Sequence, residues 1–380
     1  LMCGVRFKLK CEWKECNLGD LVTFQRGYDL PKTKMKKGKY PVVGSNGIIG
    51  YHNDYTTENP SITIGRSGNV GNPTIIYSRT WAHNTTLYIK EYKNCCPVFI
   101  YYFLKTLNLS NYAGGSAVPT LNRNHIHSLQ VKVPLLYDVQ AKIGSFLKLL
   151  DDKIELNNAI NHNLQQQARA IYREWFVDFA PNVGIMPTDW RLGRLKDILR
   201  LKRNAIKVGD EPLLPYLPID VIPMNTFALT EFRPNAEAQS SLITFDTDDI
   251  VIGAMRVYFH RVVLAPFRGI TRTTCFVLTP YDSDYLAFGL LCCDQDSTID
   301  YAQTTSKGST MPYAVWDGGL GDMEIAIPPR AVAQKFNDIV KPMLRQIQAS
   351  YFENLNLRNM RDSLLPKLMK GEIDVSEIEL

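Results

Sequence analysis

EWKECNLGDLV (residues 12–22) and DWRLGRLKDIL (residues 189–199) are the two stretches that decide how this chain is organised. Trp13, Leu18, Asp20 and Leu21 of the first return as Trp190, Leu195, Asp197 and Ile198 of the second, at a constant offset of 177. Such self-similarity means that one architecture is built twice, and it outranks any single short motif. The echo continues downstream. Thr63-Ile64-Gly65-Arg66 answers to Val251-Ile252-Gly253-Ala254, and Asn84-Thr85-Thr86-Leu87-Tyr88 answers loosely to Arg272-Thr273-Thr274-Cys275-Phe276. Gly115-Ser116-Ala117-Val118-Pro119 aligns with Gly308-Ser309-Thr310-Met311-Pro312, and VKVP (131–134) with IAIP (325–328), where the offset has become 193 or 194. Insertions therefore accumulate in loops between shared strands.

After VKVP and IAIP the strand-and-turn punctuation gives way to helical periodicity. Ile143, Leu147, Leu150, Ile154, Asn157, Asn161, Leu164, Ala168, Ile171 and Trp175 step by fours and threes, which is a heptad seam. Adding 193 gives Phe336, Val340, Met343, Ile347, Ser350, Asn354, Leu357, Arg361, Leu364 and Leu368, with polar residues in the same middle heptad. Pro342 is expected to kink that second helix or delay its start. An apolar stripe of this length needs a partner, and the nearest at hand is the other copy. Antiparallel pairing would make a rod of about 50 Å, from roughly 33 residues rising 1.5 Å each. The polar middle (Asn157, Asn161, Ser350, Asn354) would meet itself and set register. Helical core packing inside a larger globule is the alternative.

The expected fold is α+β: two mixed α/β units alternating with two long helices that pair as an antiparallel coiled coil, with a pseudo-two-fold internal repeat. The boundaries fall at 1–136, 137–180 for the first helix, 190–329, and 330–380 for the second helix and tail. Residues 181–189, PNVGIMPTD, form a linker. Apolar stretches at 99–107 and 285–293 suit short helices inside the units.

With 380 residues, the chain is long enough for two sizeable cores, and 45% hydrophobic with 21% charged residues is ordinary globular composition. A net charge of +5 permits a polyanionic partner without demanding one. The eight cysteines (Cys3, Cys11, Cys16, Cys95, Cys96, Cys275, Cys292, Cys293) have no C-x-x-C spacing, so reduced thiols are expected. No apolar run approaches a membrane span and no signal-peptide layout stands at the start, which points to a cytoplasmic protein without a membrane partner.

Catalytic chemistry is hard to place. IGRSGNVG (64–71) matches neither phosphate-loop pattern, and Asn72-Pro73 follows it directly, leaving a plain glycine turn or a DNA-contacting loop. A [DNS]-P-P-[FYW] methyltransferase tetrapeptide is absent from the sequence. Glu91-x-Lys93 reads as a solvated hairpin edge rather than a nuclease centre. His125-x-His127 would point to one face of a strand but lacks a third metal ligand, so neither catalytic nor metal residues are assigned.

Side chains suited to DNA are abundant by contrast. Arg26, Lys32, Lys34, Lys36, Lys37 and Lys39 interleave with Tyr28 and Tyr40, and Lys202, Arg203 and Lys207 hold the comparable place in the second copy. They are candidates for phosphate contacts, against the alternative of a solvated charged face. Candidate base-reading loops bring Ser45, Asn46, Arg66, Ser67, Asn69, Asn84, Thr85, Asn122 and Arg123 in the first copy. In the second they bring Arg256, Tyr258, His260, Arg261, Arg268, Arg272, Lys307, Ser309, Thr310 and Tyr313. Arginine and asparagine pair bidentately with guanine and adenine edges. In this reading the glycines of IGRSGNVG let the backbone come close to DNA.

Taken together, these motifs resemble the DNA specificity subunit of a Type I restriction-modification enzyme, essentially end to end. The resemblance rests on EWKECNLGDLV and its echo, YPVVGSNGIIGY (40–51), IGRSGNVG followed by WAHNTTLYI (81–89), GSAVPTLNRNHI (115–126), GSTMPYAVW (308–316) and SLLPKLMKGEI (363–373). It implies that 1–136 and 190–329 are target recognition domains, each reading one half of a bipartite, asymmetric double-stranded target, and that the helices set the unread spacer. Half-sites about 35 Å apart would suit such a rod. It also implies a chain without catalytic residues or cofactor of its own. Two methyltransferase (modification) subunits would bring S-adenosylmethionine, and two restriction/translocase subunits would bring ATP and Mg. Ala254 stands where the first copy has Arg66, and AMRVYFHR (254–261) carries Arg256 and Arg261 instead, so base preference does not carry over between copies. The alternatives are the specificity subunit of a related double-cutting system, a self-contained DNA methyltransferase or nuclease, and an interaction scaffold that does not touch DNA.

Overall fold

The computed structural model describes residues 12–115, 119–239 and 241–375. Cys3, Cys11 and residues 116–118 of the GSAVP motif lie outside the described residues. Two compact units divide the chain: Leu1–Ile154 with Asn356–Leu380, and Glu155–Leu355.

In the first unit a four-stranded antiparallel sheet runs in the order Val22–Arg26, Thr86–Tyr92, Ser61–Gly65, Pro73–Ile76. Ser61–Gly65 is buried along its whole length, which is why SITIG is β-branched and uncharged. Helix α1 (Pro97–Thr106) buries Phe99, Ile100, Tyr102, Phe103 and Leu104 in the same core. It starts on a proline, whose missing N–H is no loss in a first turn. A short helix α2 (Arg123–His127) follows. Trp13–Asn17 then pairs antiparallel with Gln130–Pro134, so the first and last strands of the repeat lie side by side before helix α3 (Tyr137–Tyr172) begins.

The second unit repeats this order: Leu199–Leu201, Cys275–Pro280, Ile250–Gly253, Val262–Leu264. Helix α4 (Leu286–Cys293) is buried at all eight positions and is followed by α5 (Asp296–Thr304). Arg191–Arg194 pairs antiparallel with Glu324–Ile327 ahead of helix α6 (Arg330–Lys370). The two apolar stretches at 99–107 and 285–293 are therefore the helices α1 and α4. Ala180–Asn182, across the boundary between the expected helix and the expected linker, form a single helical turn, and the rest of 181–189 carries no regular element.

Each unit contains a piece of both long helices. In the first, Asp151 accepts hydrogen bonds from Tyr102 Oη (2.7 Å) and Arg361 Nη1 (2.6 Å), and Ile143 and Leu147 share a core with Leu368 and Met369. In the second, Asn157 Nδ2 donates to Asn354 Oδ1 (2.9 Å) and Glu353 Oε2 (2.7 Å), and Tyr172 meets Phe336. Within that unit the partner numbers run in opposite directions, so these two segments are antiparallel. Asn157, Asn161, Ser350 and Asn354 are all buried.

Two sequence expectations need correction. Helix α6 begins at Arg330, well before Pro342, so the proline does not delay its start. Pro342 is exposed, and so is Asp338, whose carbonyl loses its N–H partner and can take water instead. The buried stripe is also wider than a heptad seam. Ile143, Leu147, Ile154, Phe336, Val340 and Ile347 are buried, but Leu150, Leu164, Ile171, Met343, Leu357 and Leu364 are only half-buried. Gln165, Leu344 and Gln348 are buried instead. Gln165 Oε1 accepts from the Phe227 amide (3.0 Å), and Gln348 Nε2 donates to the Ala265 carbonyl (3.3 Å). Helices that pack on a globular unit as well as on each other bury more than two positions in seven.

Candidate nucleic-acid interface

The loops that diverge between the copies hang from the same backbone hydrogen bonds. In the first unit the Arg66 amide donates to the Thr85 carbonyl (2.8 Å) and the Leu121 amide to the Arg66 carbonyl (2.9 Å). In the second the Ala254 amide donates to the Thr274 carbonyl (2.9 Å) and the Ala314 amide to the Ala254 carbonyl (2.8 Å). Scaffold is shared, and side chains are rewritten on it.

In the first unit this frame gathers Ser45, Arg66, Ser67, Thr85, Asn122 and Arg123. The Ser45 amide donates to Thr85 Oγ1 (3.2 Å), and Ser67 bridges to Thr120. A cleft of about 540 Å³ is lined by Arg26, Arg66, Asn122, Arg123 and His125, with Leu87 and Leu121 as its apolar floor. Burial first, and then the neighbouring Arg26, push the Arg66 guanidinium below its ordinary pKa. Among the described residues none of these three arginines forms an ion pair. Like charges crowded together without a carboxylate favour an anion between them. Lys32, Lys34 and Lys36 are exposed on the adjacent segment, as is Asn46 at its own turn.

Several candidates of the first unit are committed to the protein. Asn84 Nδ2 donates to Asp29 Oδ1 (2.7 Å), Asn122 Oδ1 caps α2 by accepting from the Asn124 amide (2.9 Å), and Asn69 Oδ1 accepts from Asn72. His125 and His127 sit on α2 rather than on a strand, and His127 Nε2 accepts from the Phe24 amide (2.9 Å). The glycines serve the loop itself. A Cβ at Gly65 would run into the Asn69 carbonyl, and one at Gly71 (φ 85°) into the Ser110 amide, so they allow close packing of protein on protein.

In the second unit, Arg256, Tyr258, Lys307, Ser309, Thr310 and Tyr313 are exposed. The Arg256 amide donates to the Pro312 carbonyl (2.8 Å), and Met255 and Lys307 both bridge to Tyr313. Arg203 pairs with Asp317 (2.7 Å) at the surface, and Arg268 with Glu211 (3.3 Å). Arg272 is half-buried, and its Nε meets no acceptor.

Lys202, His260 and Arg261 turn inward, contrary to the sequence reading. Lys202 is held by Asp246 (2.8 Å) and Asp249 (2.6 Å). Arg261 Nη1 donates to the carbonyls of Ile219 (2.8 Å), Asp220 (3.2 Å) and Ile222. His260 lies between Asp294 (Nε2 to Oδ1, 3.3 Å) and Asp296 (Nδ1 to Oδ1, 3.3 Å), and Arg169 of α3 grips Asp294 with two bonds (2.6 and 3.0 Å). These carboxylates lie far away in sequence, so the loop's own composition carries no sign of them.

The hydrogen bond to Asp294 raises the His260 pKa above its ordinary 6.5. A group whose pKa rises on folding gives its full stabilisation below the unfolded value and loses it as pH climbs through the folded value. The second unit is therefore expected to lose stability above about pH 6.5, and His260→Gln to flatten that slope. Native hydrogen exchange of the α4 amides at a series of pH values measures this. An unchanged slope in the variant refutes the role given to His260.

Comparison with known proteins decides the family. The Type I restriction enzyme HindI specificity subunit of Haemophilus influenzae is 34% identical over 361 residues, covering 73% of this chain and 77% of its own. The chain belongs to the Type I restriction enzyme specificity subunits. A family model described as Type I restriction modification DNA specificity domain matches residues 10–166 of this specificity subunit. The MjaIX specificity subunit of Methanocaldococcus jannaschii is 24% identical over 446 residues, with 98% of this chain and 99% of its own covered. The fold is also that of the crystal structure of a Type I S subunit from M. genitalium, at TM-score 0.68 and 15% identity over 96% of this chain and 98% of that one. The chain is thus the DNA-specifying, non-catalytic member of a restriction-modification system. Among the described residues there is no cluster of metal-ligating side chains and no helix long and apolar enough to cross a membrane.

Proposed function

We propose that each unit of this specificity subunit reads one half of a bipartite, asymmetric DNA target. The long helices pair as an antiparallel coiled coil about a pseudo-two-fold axis and set the spacer between the halves. Two methyltransferase subunits and two restriction/translocase subunits are recruited, in the cytoplasm, and S-adenosylmethionine, ATP and Mg belong to those partners. The observation that carries the reading is the pair of matched loop frames, with an unpaired arginine cleft on one and rewritten side chains on the other. A common frame with different tips is what two readers of different sequences require.

The specificity subunit together with its modification partner should methylate only DNA carrying one bipartite sequence. Equal methylation of random duplex would refute the reading. Arg66→Ala should relax discrimination at one position of one half-site by about 1–3 kcal/mol, the worth of a bidentate base contact, while the other half stays intact. Sequencing of methylated products gives the positions. A uniform loss across all sequences would instead place Arg66 on a phosphate.

A further inference from the structure

The loop frame that presents Arg66 in the first unit presents an aromatic turn in the second. Beyond Ala254 the chain makes a single helical turn, Val257–Phe259, with Val257 buried and Tyr258 and Phe259 at 45% and 37% exposure. The two rings lie 4.9 Å apart. Arg256 (φ 50°) and His260 (φ 49°), on either side of the turn, both adopt the left-handed conformation that costs a non-glycine residue energy.

That conformation persists because the surroundings over-determine it. Phe259 N–H donates to the Arg256 carbonyl (3.0 Å), His260 N–H to the Val257 carbonyl (2.9 Å), and the Asn225 amide to the His260 carbonyl (2.9 Å). The His260 ring is clamped by Asp294 and Asp296, and the Arg261 guanidinium is anchored on backbone carbonyls. A turn fixed from so many sides, yet carrying two surface aromatics, is built to present them.

We propose that the Tyr258-Phe259 turn reads the second half-site through apolar contact with the C5 methyl group of a thymine in the major groove. The Phe259 ring and the carbon edge of the Tyr258 ring carry no hydrogen-bonding atom, and the feature of a base edge that such apolar surface complements is that methyl. Exposed Arg256 and Lys307, neither in an ion pair among the described residues, supply positive charge beside the turn for the flanking phosphates. The rings are tilted 54° to each other, the Arg261 guanidinium lies 5.5 Å from the Phe259 ring centre, and less than half of either side chain is exposed, so the pair presents a low apolar ridge. A blade that enters the base stack would have to project further.

The inference rests on the second unit reading DNA, and the test separates the two. In the full complex with its methyltransferase partner, each thymine of the second half-site is replaced by uracil, which removes the methyl and leaves the base-pairing edge intact. One replacement should weaken DNA binding about fourfold, the worth of one buried methyl-sized group at about 0.8 kcal/mol. In a Tyr258→Ala, Phe259→Ala double variant the same replacement should have no effect, while discrimination at the first half-site shows that the complex is folded. Tyr258→Ala alone, whose side chain is the more exposed, should give a partial loss of the uracil effect. A uracil penalty undiminished in the double variant, or no sensitive thymine in that half-site, would each overturn the proposal. If the wild-type complex discriminates no sequence at all, it is the DNA-reading function that has failed.

Discussion

Replacing Gly65 by alanine is expected to destabilise the first unit by about 3 kcal/mol and, under the proposed function, to abolish discrimination at one half-site while leaving the other intact. A Cβ at this position overlaps the Asn69 carbonyl, a backbone atom that no side-chain rotation can move away. Gly65 also closes the loop at both ends. Its amide donates to the Asn72 carbonyl (3.2 Å) and its carbonyl accepts from the Gly71 amide (2.8 Å). Overpacking a tight site costs about 1–3 kcal/mol, and a backbone collision on a fully buried strand belongs at the upper end. Arg66 follows directly, so the displaced loop carries the guanidinium away from the cleft. Hydrogen exchange of the first sheet gives the stability change, and the methylation motif gives the function. Retained discrimination at both half-sites would show that the loop does not position Arg66.

The second large effect concerns Asp294, whose side chain is fully buried and is shared by Arg169 and His260. Asp294→Ala should lower the stability of the second unit by about 3 kcal/mol. Breaking a buried pair costs about 3–5 kcal/mol because the remaining charge is stranded, and Arg169, at 25% exposure, can recover part of its hydration. Asp294→Asn keeps the shape and should fall between alanine and wild type. Denaturation followed at amides of α4 and α5 measures both. A loss under about 1 kcal/mol would mean that the Arg169–Asp294–His260 cluster is not a structural hub.

Trp13 and Trp190, spaced with their leucines and aspartates, made the doubled scaffold legible, because core and turn residues are set locally by strand and cap chemistry. The matched hydrogen bonds at Arg66 and Ala254 are the same repeat expressed in the backbone. Site residues were less legible. Lys202, His260 and Arg261 look like surface cations in sequence, and only Asp246, Asp249, Asp294 and the carbonyls of 219–222 turn them inward. Gln165 and Gln348 look like polar outer-face residues of a heptad, and they are buried because backbone groups of the second unit meet them there. In each case a long-range partner, absent from the local window, decides the outcome. Arg26 joins the Arg66 cleft through another long-range pairing, its strand end lying beside Leu87 across the sheet.

The strand pair formed by Trp13–Asn17 and Gln130–Pro134, with its counterpart Arg191–Arg194 and Glu324–Ile327, turns everything between into a closed loop with fixed ends. Loop-closure entropy grows only with the logarithm of length, so the seventeen residues by which the loop from Arg194 to Glu324 exceeds that from Asn17 to Gln130 shift that entropy by about 0.1 kcal/mol. The strands that feed α3 and α6 do not register the difference. A reading surface mounted this way can gain, lose or rewrite its tips at almost no thermodynamic cost to the helix that follows it.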